Sequence, residues 1–153
     1  MAKSVAPELV ITRVIDAPRS LVFQAWTDCK RAMRWWGPKG FTATSCTMDV
    51  RPGGAWRTCM RSPEGVDYWS QGVYREITPP ERLVFTFAWD DEHDQPTIET
   101  LVTVTFDDLG DKTKLTFHQT PFQTVELRDS HEGGWSESFD RLNAYLAGGS
   151  SQP

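Results

Sequence analysis

The segment from Thr124 to Ala147 constrains the fold most, because it reads as one long helix with a single apolar stripe. The stripe has the helical spacing i, i+4, i+7, i+11 and consists of Trp135, Phe139, Leu142 and Leu146. A helix of this length extends about 36 Å and must bury its stripe against an element that spans the molecule. Gly133-Gly134 predicts a kink or a close contact within it.

The region before this helix supplies a sheet to cover it. Residues 82–89, "RLVFTFAW", alternate strictly, so that Leu83, Phe85, Phe87 and Trp89 share one face. Similar segments, separated by turn signals, predict strands at 8–15, 41–50, 55–60, 68–77, 82–89, 98–106 and 113–119. Two short helices, 16–29 and 30–36, are predicted between the first two strands, and Gly37-Pro38 ends the second. The order predicts an α+β fold, an antiparallel meander around the C-terminal helix.

The domain is predicted at 8–147, with 1–7 and 148–153 as flexible tails. A net charge of −5 argues against a nucleic-acid partner, which requires a basic face. No apolar run is long enough to predict a membrane span, and the N-terminus does not read as a signal peptide. Three cysteines without CxxC spacing predict reduced thiols in a cytoplasmic protein, with neither a zinc site nor a disulfide framework.

The turn at Arg51–Gly54 decides which side chains face inward. A tight turn would place Cys46 opposite Cys59 and invite a thiol pair. A bulge at the Gly-Gly pair would instead oppose Val50 to Trp56, Met48 to Thr58 and Cys46 to Met60. We favour the bulge because it gathers the apolar residues on one side. It places Cys46 and Cys59 on opposite faces and argues against a disulfide between them.

Several sequence segments match one family, and they occur in order over nearly the whole chain. They are "DAPRSLVFQAWT" (16–27), "RWWGPKGF" (34–41), "DVRPGGAW" (49–56), "GVYREITPPERLVFTFAW" (72–89) and "GGWSESFDRLNAYL" (133–146). The chain thereby resembles the activator-of-heat-shock-protein-90-ATPase homologue family, within the SRPBCC (START-like, helix-grip) superfamily. The resemblance implies a seven-stranded curved antiparallel sheet that grips the C-terminal helix, with two short helices closing one end.

The same resemblance implies three kinds of function. Stand-alone members look like small-molecule binders, the superfamily includes cyclases, dehydratases and lyases, and the family takes its name from co-chaperones. No catalytic motif defines this branch, so no catalytic residue is carried over. The sequence contains no GxSxG, HExxH, GxGxxG or P-loop pattern and predicts no catalytic residue, cofactor or metal.

The three histidines are the candidate groups for acid–base chemistry or ligand contact. His118 alternates outward in its strand, and His93 lies in an acidic loop that reads as a solvated hairpin tip. His131 lies one helical turn before Trp135. For His131 two interpretations stay open, a polar group of the cavity or a residue of the helix surface.

The chain has seven Trp and eight Phe, more large rings than a sheet packed on one helix requires. This excess predicts a ligand cavity between the sheet and the C-terminal helix. The predicted lining is Trp36, Phe41, Met48, Trp56, Met60, Tyr74, Phe85, Phe87, Phe117, His131, Trp135 and Phe139. Of the neighbouring tryptophans, Trp36 is assigned to the cavity and Trp35 to packing or partial exposure, because neighbours on a helix diverge by about 100°.

The favoured function is that of a cytoplasmic, cofactor-free protein that binds a small apolar or aromatic molecule, lipids included. His131, Tyr74 and Arg57 are the polar groups proposed to orient it. Two alternatives stay open: a cyclase- or lyase-type enzyme using the same cavity, and an interaction module for a chaperone or for self-association.

Overall fold

The computed structural model describes residues 7–91, 93 and 97–149. Its elements are β1 (Leu9–Ile15), α1 (Arg19–Thr27), α2 (Cys29–Ala32), β2 (Thr42–Met48), β3 (Ala55–Arg61), β4 (Asp67–Thr78), β5 (Arg82–Trp89), β6 (Thr100–Asp108), β7 (Thr113–Thr120) and α3 (Val125–Gly149). The predicted order of elements is confirmed. Helix α2 is shorter than predicted, and most of the predicted tails, 1–6 and 150–153, lie outside the described residues.

The seven strands form one antiparallel sheet in the order β1-β7-β6-β5-β4-β3-β2. Sequential strands pair except for β1, which joins the far end beside β7, so β1 and β2 are the two edges. The sheet curves around α3, which confirms the helix-grip fold. No helix in the described part of the chain is long and apolar enough to cross a membrane.

The core lies between the inner face of the sheet, α1 and α3. Its centre is Trp26 of α1, whose ring contacts those of Trp35, Trp36, Phe85, Phe106, Phe117, Trp135 and Phe139. Phe139 and Leu142 of α3 are completely buried, as their place on the apolar stripe predicts. Gly134 packs near Pro38, whereas a side chain at Gly133 would meet open space.

The register between β2 and β3 differs from the predicted one. Met48 pairs with Trp56 and Cys46 with Thr58, while the irregularity lies between Ala43 and Ser45. The Gly-Gly pair forms no bulge against β2, because the backbones of Gly53 and Gly54 bond to Tyr74 of β4 instead. The observed register is shifted by two residues from the favoured one. Because side chains alternate with a period of two, the same residues still face inward.

The pairing of the cysteines also differs from the prediction. Cys46 and Cys59 lie at neighbouring positions of the register, on opposite faces, and Cys59 is a free, buried thiol. Cys46 nevertheless forms a disulfide, with Cys29 at the start of α2. The prediction of three reduced thiols was therefore wrong. It considered only the partner across the hairpin and not the short helix packed on the edge strand.

Candidate functional site

A pocket of about 380 Å³ lies where the N-terminal half of α3 faces the sheet. Strands β3, β4 and β5 form one wall, and the connection from α2 to β2 forms one end. Its lining consists of Trp36, Gly37, Pro38, Phe41, Met60, Tyr68, Phe87, Trp89, Leu127, Ser130, His131, Gly134, Trp135 and Ser138. None of these residues is Asp, Glu, Lys or Arg, so the wall offers rings, aliphatic groups and neutral polar groups.

Two rows of residues on α3 form the helical wall of the pocket. Leu127, His131 and Trp135 form one row at i, i+4 spacing, while Ser130, Gly134 and Ser138 form the neighbouring row. Ser138 donates its hydroxyl proton to the carbonyl oxygen of Gly134, 3.0 Å away. The second row is small, and this leaves open volume between helix and sheet.

The segment 36–41 forms the end of the pocket and is fixed by α3. Gly37 adopts φ +110°, where an L side chain is strained, and a Cβ there would press on Phe41 and on the sulfur of Met60. The backbone N–H of Lys39 donates to Oε1 of Glu137 at 3.0 Å. Arg141, half-buried, has its pKa lowered by desolvation and donates to carbonyl oxygens of the same segment.

The two tryptophans of "RWWGPKGF" divide much as predicted. Trp36 lines the pocket and contacts the rings of Trp56 and Trp135. Trp35 has 0% of its surface exposed, and its indole N–H donates to the carbonyl oxygen of Ala25 at 3.0 Å. Of the two alternatives for Trp35, the structure has packing and not partial exposure.

The predicted lining residues fall into three groups. One group lines the pocket: Trp36, Phe41, Met60, Phe87, His131 and Trp135. A second group surrounds a void of about 10 Å³ deeper in the core: Met48, Trp56, Tyr74 and Phe85. Phe117 and Phe139 line neither and are completely buried among core rings. Whether a ligand contacts the first group stays a prediction.

Two of the three polar groups predicted to orient a ligand, Tyr74 and Arg57, lie outside the pocket lining. Tyr74 is buried, and desolvation raises its pKa above the ordinary value. Arg57 faces the opposite side of the sheet, where it pairs with Asp90 at 2.5 Å and stacks 4.1 Å from the ring of Trp69. Its assignment to the cavity was wrong, because it follows the inward-facing Trp56 and strand neighbours point to opposite faces.

The sequence left two interpretations open for His131, a polar group of the cavity or a residue of the helix surface. In the structure its side chain lies in the wall of the pocket. Its Nε2 accepts the indole N–H of Trp89 at 3.1 Å. The rings of Phe87 and Phe122 lie 6.0 and 5.0 Å from its imidazole. Burial lowers the pKa of His131 from 6.5 to about 4, so the ring is neutral at physiological pH.

The other histidines lie elsewhere. His118 contacts Glu8 at the surface, 2.6 Å away, and the backbone N–H of His93 donates to Asp91 in the β5–β6 loop. Among the residues that the structure describes, no three His, Cys, Asp or Glu side chains are grouped to hold a metal ion.

Several residues of the observed lining are absent from the lining predicted from the sequence. Trp89 continues the inward face of β5, and Leu127, Ser130 and Ser138 continue the two rows of α3 at i±4, so periodicity could have found them. Tyr68 could be found in the same way. It shares the face of the predicted residue Tyr74, six positions further along β4, and it pairs with Met60 of β3.

Fold and site together define a helix-grip, START-like protein, a class whose members are typically ligand-binding proteins. A family model described as "Activator of Hsp90 ATPase homolog 1-like protein" matches residues 16–147. The chain belongs to this family, which confirms the resemblance. None of the curated proteins compared with the chain matches it.

Solved structures of bacterial proteins support the same assignment. The AHSA1 protein from Silicibacter pomeroyi is 26% identical with a TM-score of 0.83, covering 92% of this chain and 98% of that chain. A protein from Arthrobacter aurescens is 27% identical with a TM-score of 0.83, covering 93% and 87%. A protein from Chromobacterium violaceum is 26% identical with a TM-score of 0.83, covering 92% and 96%.

Proposed function

We propose that this protein binds a small, neutral, apolar or aromatic molecule, or the chain of a lipid, in the pocket between α3 and the sheet. The observation that carries the proposal is a volume of about 380 Å³ whose described lining residues include no Asp, Glu, Lys or Arg. Pockets for small molecules range over roughly 300–1,000 Å³ and have mostly apolar walls. A cytoplasmic location remains a prediction.

Two glycines of α3 provide a matched test. Gly134 lines the pocket, and a Cβ there would stand 3.6 Å from Pro38, an ordinary contact, so a leucine would extend into the pocket. Gly133 faces open space one residue away. Gly134→Leu should abolish binding, whereas Gly133→Leu, with the same gain in helix propensity, should leave it intact.

The probe is N-phenyl-1-naphthylamine, a neutral dye that fluoresces in apolar surroundings. We expect saturable binding to the wild type and to Gly133→Leu, and none to Gly134→Leu. At a dye concentration 100 times its Kd, the free energy of unfolding should rise by about 2.7 kcal/mol. Equal binding by both variants would refute the pocket as the site, and a wild type that binds neither the dye nor any co-purified lipid would refute the function.

A cyclase- or lyase-type enzyme is the second candidate, because the pocket contains one ionisable group with a displaced pKa, His131. A base with a pKa of about 4 is a weak proton acceptor at neutral pH. Among the described lining residues the phenol of Tyr68 is the other ionisable group. Binding is therefore the better supported function. Interaction with a chaperone remains a prediction from the family resemblance, and self-association remains a prediction as well.

A further inference from the structure

His131 stands at the border between two pockets. The second pocket, about 150 Å³, lies beside the first and is lined by residues of β5, the start of β6, the segments before β6 and α3, and the first turns of α3. Four residues line both pockets: Phe87, Trp89, Leu127 and His131. Of these four, only Trp89 and His131 carry polar side-chain atoms, and they bond to each other.

This bond determines the tautomer of the imidazole. An indole N–H can only donate, so Nε2 of His131 must accept, and the proton of the neutral ring is on Nδ1. The lowered pKa, caused by burial, keeps the ring in this neutral form. The Nδ1–H is therefore a donor of fixed position.

That donor has no partner among the described residues, since the bond to Trp89 uses the other nitrogen. Nδ1 also keeps accessible surface. Within the described part of the chain, the single fully enclosed side-chain nitrogen or oxygen without a hydrogen bond is Trp26 Nε1, so the unbonded Nδ1 of His131 is not fully enclosed. The rings of Phe87, Trp89 and Phe122 surround the imidazole and hold its orientation. An oriented, unused donor in an apolar wall is suited to select one acceptor atom of a ligand.

We propose that His131 is the specificity-determining residue of the pocket, and that its Nδ1–H donates to a carbonyl or other neutral acceptor on an otherwise apolar ligand. The inference rests on the proposed function and names the ligand class. A carboxylate is disfavoured, because no Lys or Arg among the described residues lines either pocket to neutralise it. The apolar body occupies the larger pocket, and the acceptor meets His131 at the border with the smaller one.

Two probes of nearly equal shape test this directly. 2-Acetylnaphthalene carries a ketone oxygen, and 2-ethylnaphthalene does not. The wild type should bind the ketone about 3- to 10-fold more tightly, the value of one neutral hydrogen bond. The carbonyl stretch of the bound ketone should shift to lower frequency, which reports the hydrogen bond itself.

Two substitutions separate donation from packing. His131→Met fills a similar volume without a donor, and it should reduce the preference to about 1-fold while binding of 2-ethylnaphthalene stays constant. In His131→Asn the amide nitrogen stands about as far from the backbone as Nδ1, so the preference should persist although the bond to Trp89 is lost. Ser130→Ala is the control for a competing hydroxyl in the same wall and should leave the preference unchanged.

The outcomes are distinguishable. Equal binding of both probes by the wild type, or a preference that survives in His131→Met, overturns the role of His131 but leaves the binding function standing. Loss of the preference in both His131 variants, or in Ser130→Ala, likewise overturns it in favour of packing or of the serine hydroxyl. If the wild type binds neither probe, the binding function fails and this inference fails with it. The infrared measurement needs only wild-type protein, so an unshifted carbonyl stretch overturns the inference even where a variant does not fold.

Discussion

Arg141 donates a hydrogen bond from Nη1 to the carbonyl oxygen of Gly37 at 2.9 Å, joining the middle of α3 to the end of the pocket. The same nitrogen lies 3.1 Å from the carbonyl oxygen of Pro38 and 3.0 Å from that of Phe41. Three backbone acceptors of one loop thus converge on one cation. This arrangement explains how a segment that contains Gly and Pro can serve as a defined wall.

Arg141→Met should therefore loosen this wall while preserving the aliphatic part of the side chain. We expect a loss of about 2–3 kcal/mol in the free energy of unfolding, because hydrogen bonds from a charged donor contribute about 1.5–3 kcal/mol. Urea denaturation measures it. The control is Arg34→Met, whose exposed guanidinium lies 5.4 Å from the ring of Tyr145 and should cost at most about 1 kcal/mol. Equal losses in both variants would contradict the anchoring role.

The fold was predictable because its periodicities are local. The inward residues of β5, Leu83, Phe85 and Phe87, belong to the core cluster, as their alternation indicates, whereas Val84 and Ala88 of the other face are buried outside it. The stripe of α3 is buried in the same way. The sequential order from β2 to β7 follows from the short turns of an antiparallel meander, whereas the position of β1 beside β7 does not follow from local patterns.

The site was predictable only in part, because it depends on distances between elements. Trp36 and Trp135 belong to the pocket, whereas Phe117 and Phe139 share their periodicity and are core. Sequence patterns give the face of an element but not the separation of two elements along their length. The Cys29–Cys46 disulfide was missed for the same reason, since it joins a short helix to an edge strand.

The pKa of His131 predicts a pH dependence of stability. In the folded protein this pKa is about 4 against an ordinary 6.5, so between these pH values the unfolded chain binds more protons. The contribution of the neutral His131 to the free energy of unfolding should be complete above about pH 6.5 and be lost as the pH falls through 4. The total loss should be on the order of 3 kcal/mol. The groups packed on the ring from other elements, Phe87, Trp89 and Phe122, do not titrate. On its own helix the charged residues within one turn of His131 are Arg128, Asp129 and Glu132.

Urea denaturation at intervals from pH 7 to 4 measures this dependence. His131→Asn removes the titrating group and should flatten the profile over that range. His118→Gln, at the surface beside Glu8, is the control and should keep most of the slope. If the His131→Asn profile keeps the wild-type slope, burial does not hold this imidazole neutral.

The disulfide makes a prediction about the same end of the pocket. Cys29 and Cys46 are separated by 17 positions, and the loop between them contains Trp36 and Phe41 of the lining. Closing a loop of this size stabilises the folded state by about 3 kcal/mol in the chain-entropy account. Cys29→Ala, Cys46→Ala and the double variant should each lose about this amount, because one bond is removed in every case. Additive losses would show that the two sulfurs are not linked in solution, and a thiol count on the unfolded protein provides the independent check.

Gly72 and Gly133 should respond in opposite directions to the same added methyl group. A Cβ on Gly72 would overlap the carbonyl oxygen of Thr86 and stand 2.6 Å from Nε1 of Trp56, whose indole donates to that carbonyl at 3.1 Å. Gly72→Ala must therefore displace a buried ring and break its hydrogen bond, at a cost of about 3 kcal/mol or more. A Cβ on Gly133 meets nothing within 4 Å, so Gly133→Ala should stabilise the helix by about 0.5–1 kcal/mol. Thermal and urea unfolding of the two variants measure both signs, and a Gly72→Ala protein as stable as the wild type would mean that β4 and β5 are not held this close at Trp56.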